Sequence, residues 1–220
     1  AAGQMSDVTT MVHEVGHAIH SFLAHPLSLS AFKEYPMEIA EVASMSMELF
    51  TMNHWQAFFD NVHDLNRAQE HQLERTITIF PWIAIIDKFQ HWVYENPTHS
   101  IEERTQAWTS IAKEFSTNSI DYSGLDQYRE IGWQRQLHLF EVPFYYIEYG
   151  IAQLGAIGMW MQYQKNPTLA LENYMNALSL GGTKTLPELY QTAGISFDFS
   201  SNYVKTLMDF TKDELEKLYQ

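Results

Sequence analysis

Apolar residues recur at intervals of three and four along most of the chain, and no long stretch alternates strictly between apolar and polar. Such spacing is typical of amphipathic α-helices, whose buried face returns about every 3.6 residues, and not of strands. Gly and Pro are sparse and stand between the periodic stretches, where they end helices. We therefore predict an all-α fold of about eight to ten helices.

Capping residues and helix breakers predict where these helices begin and end. Ser6 or Asp7 is a suitable N-cap for the first helix. Pro36 suits the first turn of the second helix, and Ser100 is a suitable N-cap after a Pro-containing stop. We expect helices at about 6–24, 36–59, 65–94 with an interruption near Pro81, 101–115, 125–139 and 143–164, then two or three shorter ones after Asn166-Pro167, with a loop at 25–35.

The amino-acid composition argues against several classes of protein function. Acidic residues outnumber basic ones by 27 to 13, so a surface that follows nucleic-acid phosphates is not expected. No apolar run approaches the roughly 18–20 residues that span a bilayer, and no secretory signal pattern is present. The absence of cysteine excludes disulfides, thiolate zinc sites and a cysteine nucleophile. We expect a cytoplasmic protein without nucleic-acid or membrane partners.

Residues 13–17 form the pattern H-E-x-x-H inside the first predicted helix. Because residues four apart stack on one helix face, the imidazoles of His13 and His17 can bind one metal ion. Glu14 can reach a water on that metal without becoming a ligand. Two neutral imidazoles favour zinc, which needs a third protein ligand and an open position for catalysis. The competing interpretation is an amphipathic helix that keeps its histidines in solvent.

The next predicted helix offers carboxylates for the third ligand. Glu38, Glu41 and Glu48 lie on one face of the stretch 36–50, because their spacing follows the helical repeat. No Lys or Arg occurs between positions 38 and 55, so the competing interpretation, a solvated acidic stripe, lacks its basic partners. His20 lies on the histidine face of the first helix, and we interpret it as a packing or supporting residue rather than a ligand.

The segments VHEVGHAIHSF and EIAEVASMSMELF resemble the oligoendopeptidase F and thimet-oligopeptidase family of zinc peptidases. That family combines H-E-x-G-H-x-x-H with a Glu about 24 residues after the second His in an E-V-x-S context, which Glu41 matches. The resemblance implies three zinc ligands, His13, His17 and Glu41. It also implies that Glu14 is the general base, and it makes Glu38 and Glu48 candidates for orienting a ligating His.

The resemblance extends towards the C-terminus through the segment VPFYYIEYGIAQLGA. In the wider family a segment after a Pro carries a His and several Tyr that face the substrate carbonyl. Here the position of that His falls on Phe144, so the His is missing, and His138 is the candidate to replace it. Tyr149, and after it Tyr146, are the candidates for stabilising the oxyanion. The competing interpretation of these tyrosines is aromatic packing.

The resemblance implies a zinc metallopeptidase that acts on short peptides, with one Zn²⁺ per chain. Residues 1–220 are expected to form a single helical, zincin-like catalytic domain, with H-E-x-x-H on one helix and the third ligand on the next. Zinc would polarise the scissile carbonyl and activate a water, and Glu14 would take the proton of that water. Family members are much longer, so we expect this chain to be the C-terminal catalytic part of a longer peptidase.

Two other interpretations stay open. In one, the chain is a catalytically incomplete helical zinc-binding or interaction module that needs its N-terminal half or a partner chain. In the other, it is a helical interaction domain without a metal. A catalytic half without its covering half exposes an apolar, aromatic patch, so we expect self-association or binding to the N-terminal half.

Overall fold

The computed structural model describes residues 3–117 and 120–219, and within them all regular structure is helical, which confirms the all-α fold. No helix in these described ranges has both the length and the apolar composition needed to cross a membrane. Short 3-10 turns occupy Ser30–Lys33, Thr51–Ala57, Gly132–Arg135 and Gly181–Thr183. The α-helices are α1 Met5–Ala24, α2 Met37–Phe50, α3 Val62–Glu95, α4 Ile101–Glu114, α5 Asp126–Glu130, α6 His138–Glu141, α7 Ile147–Lys165, α8 Pro167–Ser179, α9 Leu186–Thr192 and α10 Ser201–Lys217.

The chain divides into two compact units. The first unit comprises the described residues of 1–77 and 151–220, and the second comprises those of 78–150. The helix α3 contributes its N-terminal part to the first unit and its C-terminal part to the second. The interpretation of residues 1–220 as a single catalytic domain stays a prediction.

A close approach of α1 and α2 organises the first unit. A Cβ atom at Gly16 would lie 2.5 Å from Cα of Ser44 and 2.7 Å from the carbonyl oxygen of Ala43. Real Cβ atoms do not approach backbone so closely, so only glycine allows the two helices to pack at this distance. Ala43 and Ser44 are fully buried at the contact. The glycine of the H-E-x-G-H pattern is therefore the contact point between the two helices.

Other helices of the first unit hold α2 on its remaining sides. The buried hydroxyl of Tyr174 on α8 donates a hydrogen bond of 2.8 Å to the carbonyl oxygen of Ala43. On α7, a Cβ at Gly155 would lie 2.7 Å from Val42 of α2 and 2.9 Å from the hydroxyl of Tyr190 on α9. These contacts surround the middle of α2, so its side chains there have little freedom to move.

The second unit has an aromatic core of its own. The indole of Trp108 on α4 meets Phe89 edge-on at 5.2 Å and Trp82 edge-on at 5.9 Å, both on α3. Buried aliphatic side chains complete this core, namely Ile85, Ile86 and Ile111. The α4 helix begins as predicted at the N-cap Ser100, whose hydroxyl accepts a hydrogen bond from the backbone of Glu103. Such an N-cap hydrogen bond stabilises the first turn of a helix.

Two predicted boundaries before residue 100 are wrong. The second helix ends at Phe50 rather than near 59, and its continuation is a 3-10 turn. At this point the hydroxyl of Thr51 donates to the carbonyl oxygen of Met47, and it also accepts a hydrogen bond from the indole of Trp55. The predicted interruption at Pro81 is absent, and α3 continues through it. Pro81 is exposed, and buried Ile residues directly after it hold the helix in the core of the second unit.

Two further predictions fail between residues 125 and 149. The expected helix at 125–139 is replaced by α5, a 3-10 turn and α6. At this break Gly132 lies against the indole of Trp108, where a Cβ would be 3.3 Å from the ring. The helix expected to begin at Pro143 begins instead at Ile147. Phe144 has a positive φ of 62°, which is incompatible with a right-handed helical turn at that position.

We predict that Gly16→Ala destabilises the first unit. The added methyl group must displace the backbone of α2, and this cost exceeds the gain of about 1 kcal/mol that Ala brings to a helix interior. We expect the free energy of unfolding to fall by about 2 kcal/mol, measured by urea denaturation. Ala18→Leu at an exposed position of α1 is the control and should change stability by less than about 0.5 kcal/mol. An unchanged urea midpoint for Gly16→Ala would contradict the close approach.

Candidate metal centre

The helix α1 presents the H-E-x-x-H residues side by side. His13 and His17 are one turn apart, and their rings meet edge-on with centroids 4.9 Å apart. Both imidazoles are half-buried, while Glu14 between them is exposed. A helix places residues i and i+4 on one face, which is the reason that the two rings come together. The same helix turns the carboxylate of Glu14 outward beside them.

The helix α2 brings Glu41 to these two histidines. The Oε2 atom of Glu41 lies 3.5 Å from Nε2 of His13 and 3.9 Å from Nε2 of His17. One donor atom from each of the three residues lies within 4.8 Å of the others. The hydroxyl of Ser44 donates a hydrogen bond of 3.0 Å to the same carboxylate oxygen and thereby helps to fix its position.

This donor set fits a divalent metal ion. Two imidazole nitrogens and one carboxylate oxygen are the three protein ligands of many catalytic zinc sites. Ligand atoms about 2 Å from a tetrahedral zinc lie roughly 3.3 Å from one another, which is close to the 3.5 Å between His13 and Glu41 and shorter than the 3.9 Å between His17 and Glu41. Glu41 is only 6% exposed, and in residues 3–117 and 120–219 no Lys or Arg forms an ion pair with it. A buried carboxylate needs a positive partner, and a metal ion would supply one.

Glu48 holds the other side of His13. Its Oε1 atom lies 2.6 Å from Nδ1 of His13, so this ring nitrogen is occupied and Nε2 is left facing Glu41. Burial lowers the pKa of His13, but the hydrogen bond and negative charge of Glu48, with the charges of Glu41 and Glu14, outweigh it. The pKa of His13 is therefore raised above its ordinary value when no metal is present.

Gln72 extends this arrangement and is a residue that the sequence analysis missed. Its Nε2 atom donates a hydrogen bond of 2.6 Å to Oε2 of Glu48, and its side chain is 3% exposed. The only signal in the sequence is its position. Gln72 stands between Ala68 and Thr76, four residues from each, and all three are buried on α3. A polar side chain on the buried face of a helix needs a partner, but the spacing does not say which one.

The other two candidate supports, Glu38 and His20, are not part of the group of three donor residues, and their supporting role stays a prediction. Glu38 is half-buried one turn before Glu41, and its negative charge adds to the effect of burial in raising the pKa of Tyr190. His20 is 1% exposed and stacks on the ring of Tyr35 at 3.5 Å. Burial lowers the pKa of His20 to about 4, so it stays neutral, and within the described residues neither ring nitrogen has a hydrogen-bond partner.

The predicted oxyanion residues form a cluster in the second unit. The ring of His138 lies 5.0 Å from that of Tyr146 and 5.8 Å from that of Tyr149. Burial raises the pKa of Tyr146 above its ordinary value. Phe144, at the position of the missing His, packs its ring 5.0 Å from that of His91. The assignment of Tyr149, Tyr146 and His138 to catalysis stays a prediction.

Comparison with known proteins places the chain in a family. A model described as peptidase family M3 matches residues 3–209. An oligoendopeptidase F homolog of Borreliella burgdorferi is 22% identical, over 97% of this chain and 37% of its own length. Oligopeptidase PepF of Bacillus subtilis is 23% identical, over 97% of this chain and 32% of its own length. The chain thus spans about a third of the length of these curated relatives.

Solved structures agree with this placement. PZ peptidase A, determined with an inhibitor, is 32% identical and superposes with a TM-score of 0.88 over 96% of this chain and 37% of its own. Oligoendopeptidase F from Enterococcus faecium, at 17% identity, shares the fold with a TM-score of 0.73 over 99% of this chain and 39% of its own. Together with the family match over residues 3–209, these similarities establish that the chain belongs to peptidase family M3, a family of metallopeptidases.

Proposed function

We propose that this chain is the zinc-binding catalytic portion of a metallopeptidase that hydrolyses short peptides. The observation that carries the proposal is the meeting of His13, His17 and Glu41 within 4.8 Å, beside the exposed carboxylate of Glu14. The three donor atoms would hold one zinc ion, and Glu14 would act on the water that attacks the substrate. Membership of peptidase family M3 supports this assignment.

The chemistry divides between the metal and Glu14. Bound zinc supplies Lewis acidity, which polarises a carbonyl group and lowers the pKa of a water towards about 7. The carboxylate of Glu14 accepts the proton of the attacking water and later delivers it to the nitrogen of the leaving amine. Its exposed position leaves this carboxylate accessible to a substrate and a water. The exposure of Glu14 and its position outside the group of three donor residues are therefore consistent with a general base rather than a ligand.

The hydrogen bonds behind His13 prepare it as a ligand. Glu48 accepts a hydrogen bond from the N–H group at Nδ1 of His13. The neutral ring therefore presents the lone pair of Nε2 on the side of Glu41. Gln72 in turn fixes the carboxylate of Glu48. The amide and the carboxylate thus set both the tautomer and the orientation of the ring.

A second candidate function keeps the metal and removes independent activity. The chain spans about a third of the length of its curated relatives. In this second candidate function it is a zinc-binding module that cleaves peptides only together with the N-terminal half of a longer protein or with a partner chain. Peptide cleavage is therefore to be assayed for this chain and for a longer form that carries such a half. Activity of the longer form alone would favour the second candidate.

We predict about one zinc per chain after reconstitution and dialysis, and a sharply lower content for Glu41→Gln, measured by elemental analysis. The substitution removes the negative charge of one ligand and keeps its shape. Glu172→Gln is the matched control, because Glu172 is exposed on α8 and lies outside the three-residue group. Its zinc content should equal that of the unmodified chain. Equal losses in both variants would contradict the assignment of Glu41 as a ligand.

We predict that Glu14→Gln abolishes peptide hydrolysis and leaves zinc bound. The amide cannot accept the proton of the attacking water, and losses of about 100-fold to 10,000-fold are typical when a general base is removed. Turnover is measured with a quenched fluorescent peptide in whichever form of the protein is active, and zinc is measured on the same sample. Turnover at the unmodified rate would show that Glu14 is not the base.

We predict that the residues behind His13 set the affinity for zinc. Glu48→Gln should weaken zinc binding by about 10-fold to 100-fold, because loss of an outer partner of a ligating His has effects of this size. Gln72→Leu should weaken it by a smaller factor, measured by competition with a chromophoric chelator. Gln69→Leu is the matched control, since Gln69 on the same helix donates instead to the carbonyl oxygen of Met52. Equal effects of the two Gln variants would refute the role of Gln72.

A further inference from the structure

The second unit contains an aromatic cavity that the proposed metal centre does not use. Its volume is about 500 Å³, a size typical of sites for small molecules or single side chains of a ligand. The cavity lies among α3, α4, α5 and the following 3-10 turn. Its lining includes four aromatic and two basic side chains: Trp82, Trp108, Tyr122, Tyr128, Arg129 and Arg135.

The two arginines of this cavity stack on its aromatic walls. The guanidinium of Arg129 lies 4.2 Å from the centre of the Tyr122 ring, and that of Arg135 lies 4.7 Å from the Trp82 ring. Stacking covers the face of a guanidinium and leaves the N–H groups on its edge available. The aromatic walls therefore hold both cations in place without consuming their hydrogen-bond donors.

Neither arginine is neutralised by a carboxylate. The described ranges 3–117 and 120–219 contain no ion pair of Arg129 or Arg135, although acidic residues outnumber basic ones by two to one in the whole sequence. The carboxylate of Asp121, which precedes Tyr122 in the sequence, accepts hydrogen bonds from the backbone and hydroxyl of Ser123. None of the five arginines forms an ion pair within the described residues, so the feature that distinguishes Arg129 and Arg135 is their place together in one aromatic cavity, where their donors are available to an anion from outside.

The two indole N–H groups of the walls are already engaged. The indole N–H of Trp108 donates to the carbonyl oxygen of Arg129 at 2.7 Å, and that of Trp82 donates to the side chain of Gln136 at 3.0 Å. Part of the remaining lining is apolar, including the buried side chain of Ile85. The cavity thus offers a charged edge and an apolar floor, and it suits a ligand with the same two parts.

We propose that this cavity binds a carboxylate group attached next to an apolar side chain, as presented by the C-terminal residue of a peptide. The two guanidinium groups would bind the carboxylate, and the aromatic walls would receive the side chain. A polyanion such as a nucleotide is disfavoured, because the net charge of −14 repels multiple negative charges over a distance. The assignment rests on residues of the second unit alone and does not depend on the proposed metal centre.

The test compares an acid with its amide. Binding of N-acetyl-L-phenylalanine and of N-acetyl-L-phenylalaninamide to the chain is measured by titration calorimetry and by tryptophan fluorescence, in EDTA, so that a metal cannot bind the carboxylate. We expect the acid to bind at least about 10-fold more tightly than the amide, since charge-assisted hydrogen bonds are lost with the charge. The peptide Ala-Ala-Ala-Phe and its C-terminal amide form the second pair and should show the same preference.

Variants locate the binding site. Arg129→Gln and Arg135→Gln should each weaken binding of the acid by about 10-fold and leave binding of the amide nearly unchanged. Arg104→Gln is the matched control, because Arg104 also stacks on a tryptophan of the second unit, 5.4 Å from the Trp133 ring, but does not line the cavity. It removes the same charge and should bind the acid like the unmodified chain. Circular dichroism of each variant checks that the helices are intact.

Three results would overturn the proposal. Equal affinity for acid and amide would show that the arginines do not read a carboxylate. If Arg104→Gln weakened binding of the acid as much as Arg129→Gln and Arg135→Gln do, the loss would come from the change in net charge and not from the cavity. Binding of N-acetyl-L-phenylalanine without binding of the peptide acid would refute a peptide terminus as the ligand. Because EDTA is present throughout, each result is independent of whether the chain binds zinc or cleaves peptides.

Discussion

The close approach of α1 and α2 at Gly16 is the constraint on which the candidate metal centre depends. A side chain at this position would meet the backbone of Ala43 and Ser44, so the two helix axes could not come as near. The ligand candidates flank this contact, with His17 directly after Gly16 and Glu41 two residues before Ala43. The distance between the helices therefore sets the distance between imidazoles and carboxylate, and small shifts of α2 would open the donor set.

The negative charge enclosed between α1 and α2 favours the binding of a cation. Glu41 and Glu48 occupy the same helix, and each carboxylate is largely enclosed. Glu48 is satisfied by His13 and Gln72, while Glu41 has the Ser44 hydroxyl and two imidazoles. Exposed ion pairs such as Lys205–Asp209 contribute little, whereas enclosed carboxylates without a cation are costly. A metal ion would balance this charge, so metal binding and the stability of the first unit are expected to be coupled.

Helices of the second unit pack through aromatic rings, whereas α1 and α2 of the first unit pack through the small residue Gly16. The core of the second unit is built from edge-to-face contacts around Trp108, and residues 126–141 contain short helical pieces, of which the part at Arg129 and Gly132 meets that indole. Rings of this size fill space without regular helices, and their faces also hold arginines by cation–π contact. An aromatic core thus provides both the stability of the unit and the walls of a cavity.

The sequence by itself determined the elements whose causes are local. The N-cap at Ser100, the helix boundary at Asn166-Pro167 and the placement of His13 and His17 side by side depend on residues within about four positions of each other, and the structure contains all three. Predictions failed where distant packing overruled the local preference. Pro81 stays inside a helix, and Gly132 divides the expected helix at 125–139 where it meets Trp108. Only the tertiary structure brought Gln72 to Glu48 across 24 residues, and it alone gathered arginines and tryptophans around one cavity. The physical reason is that helical periodicity records which face of a helix is buried, but not which side chain of another helix it will meet.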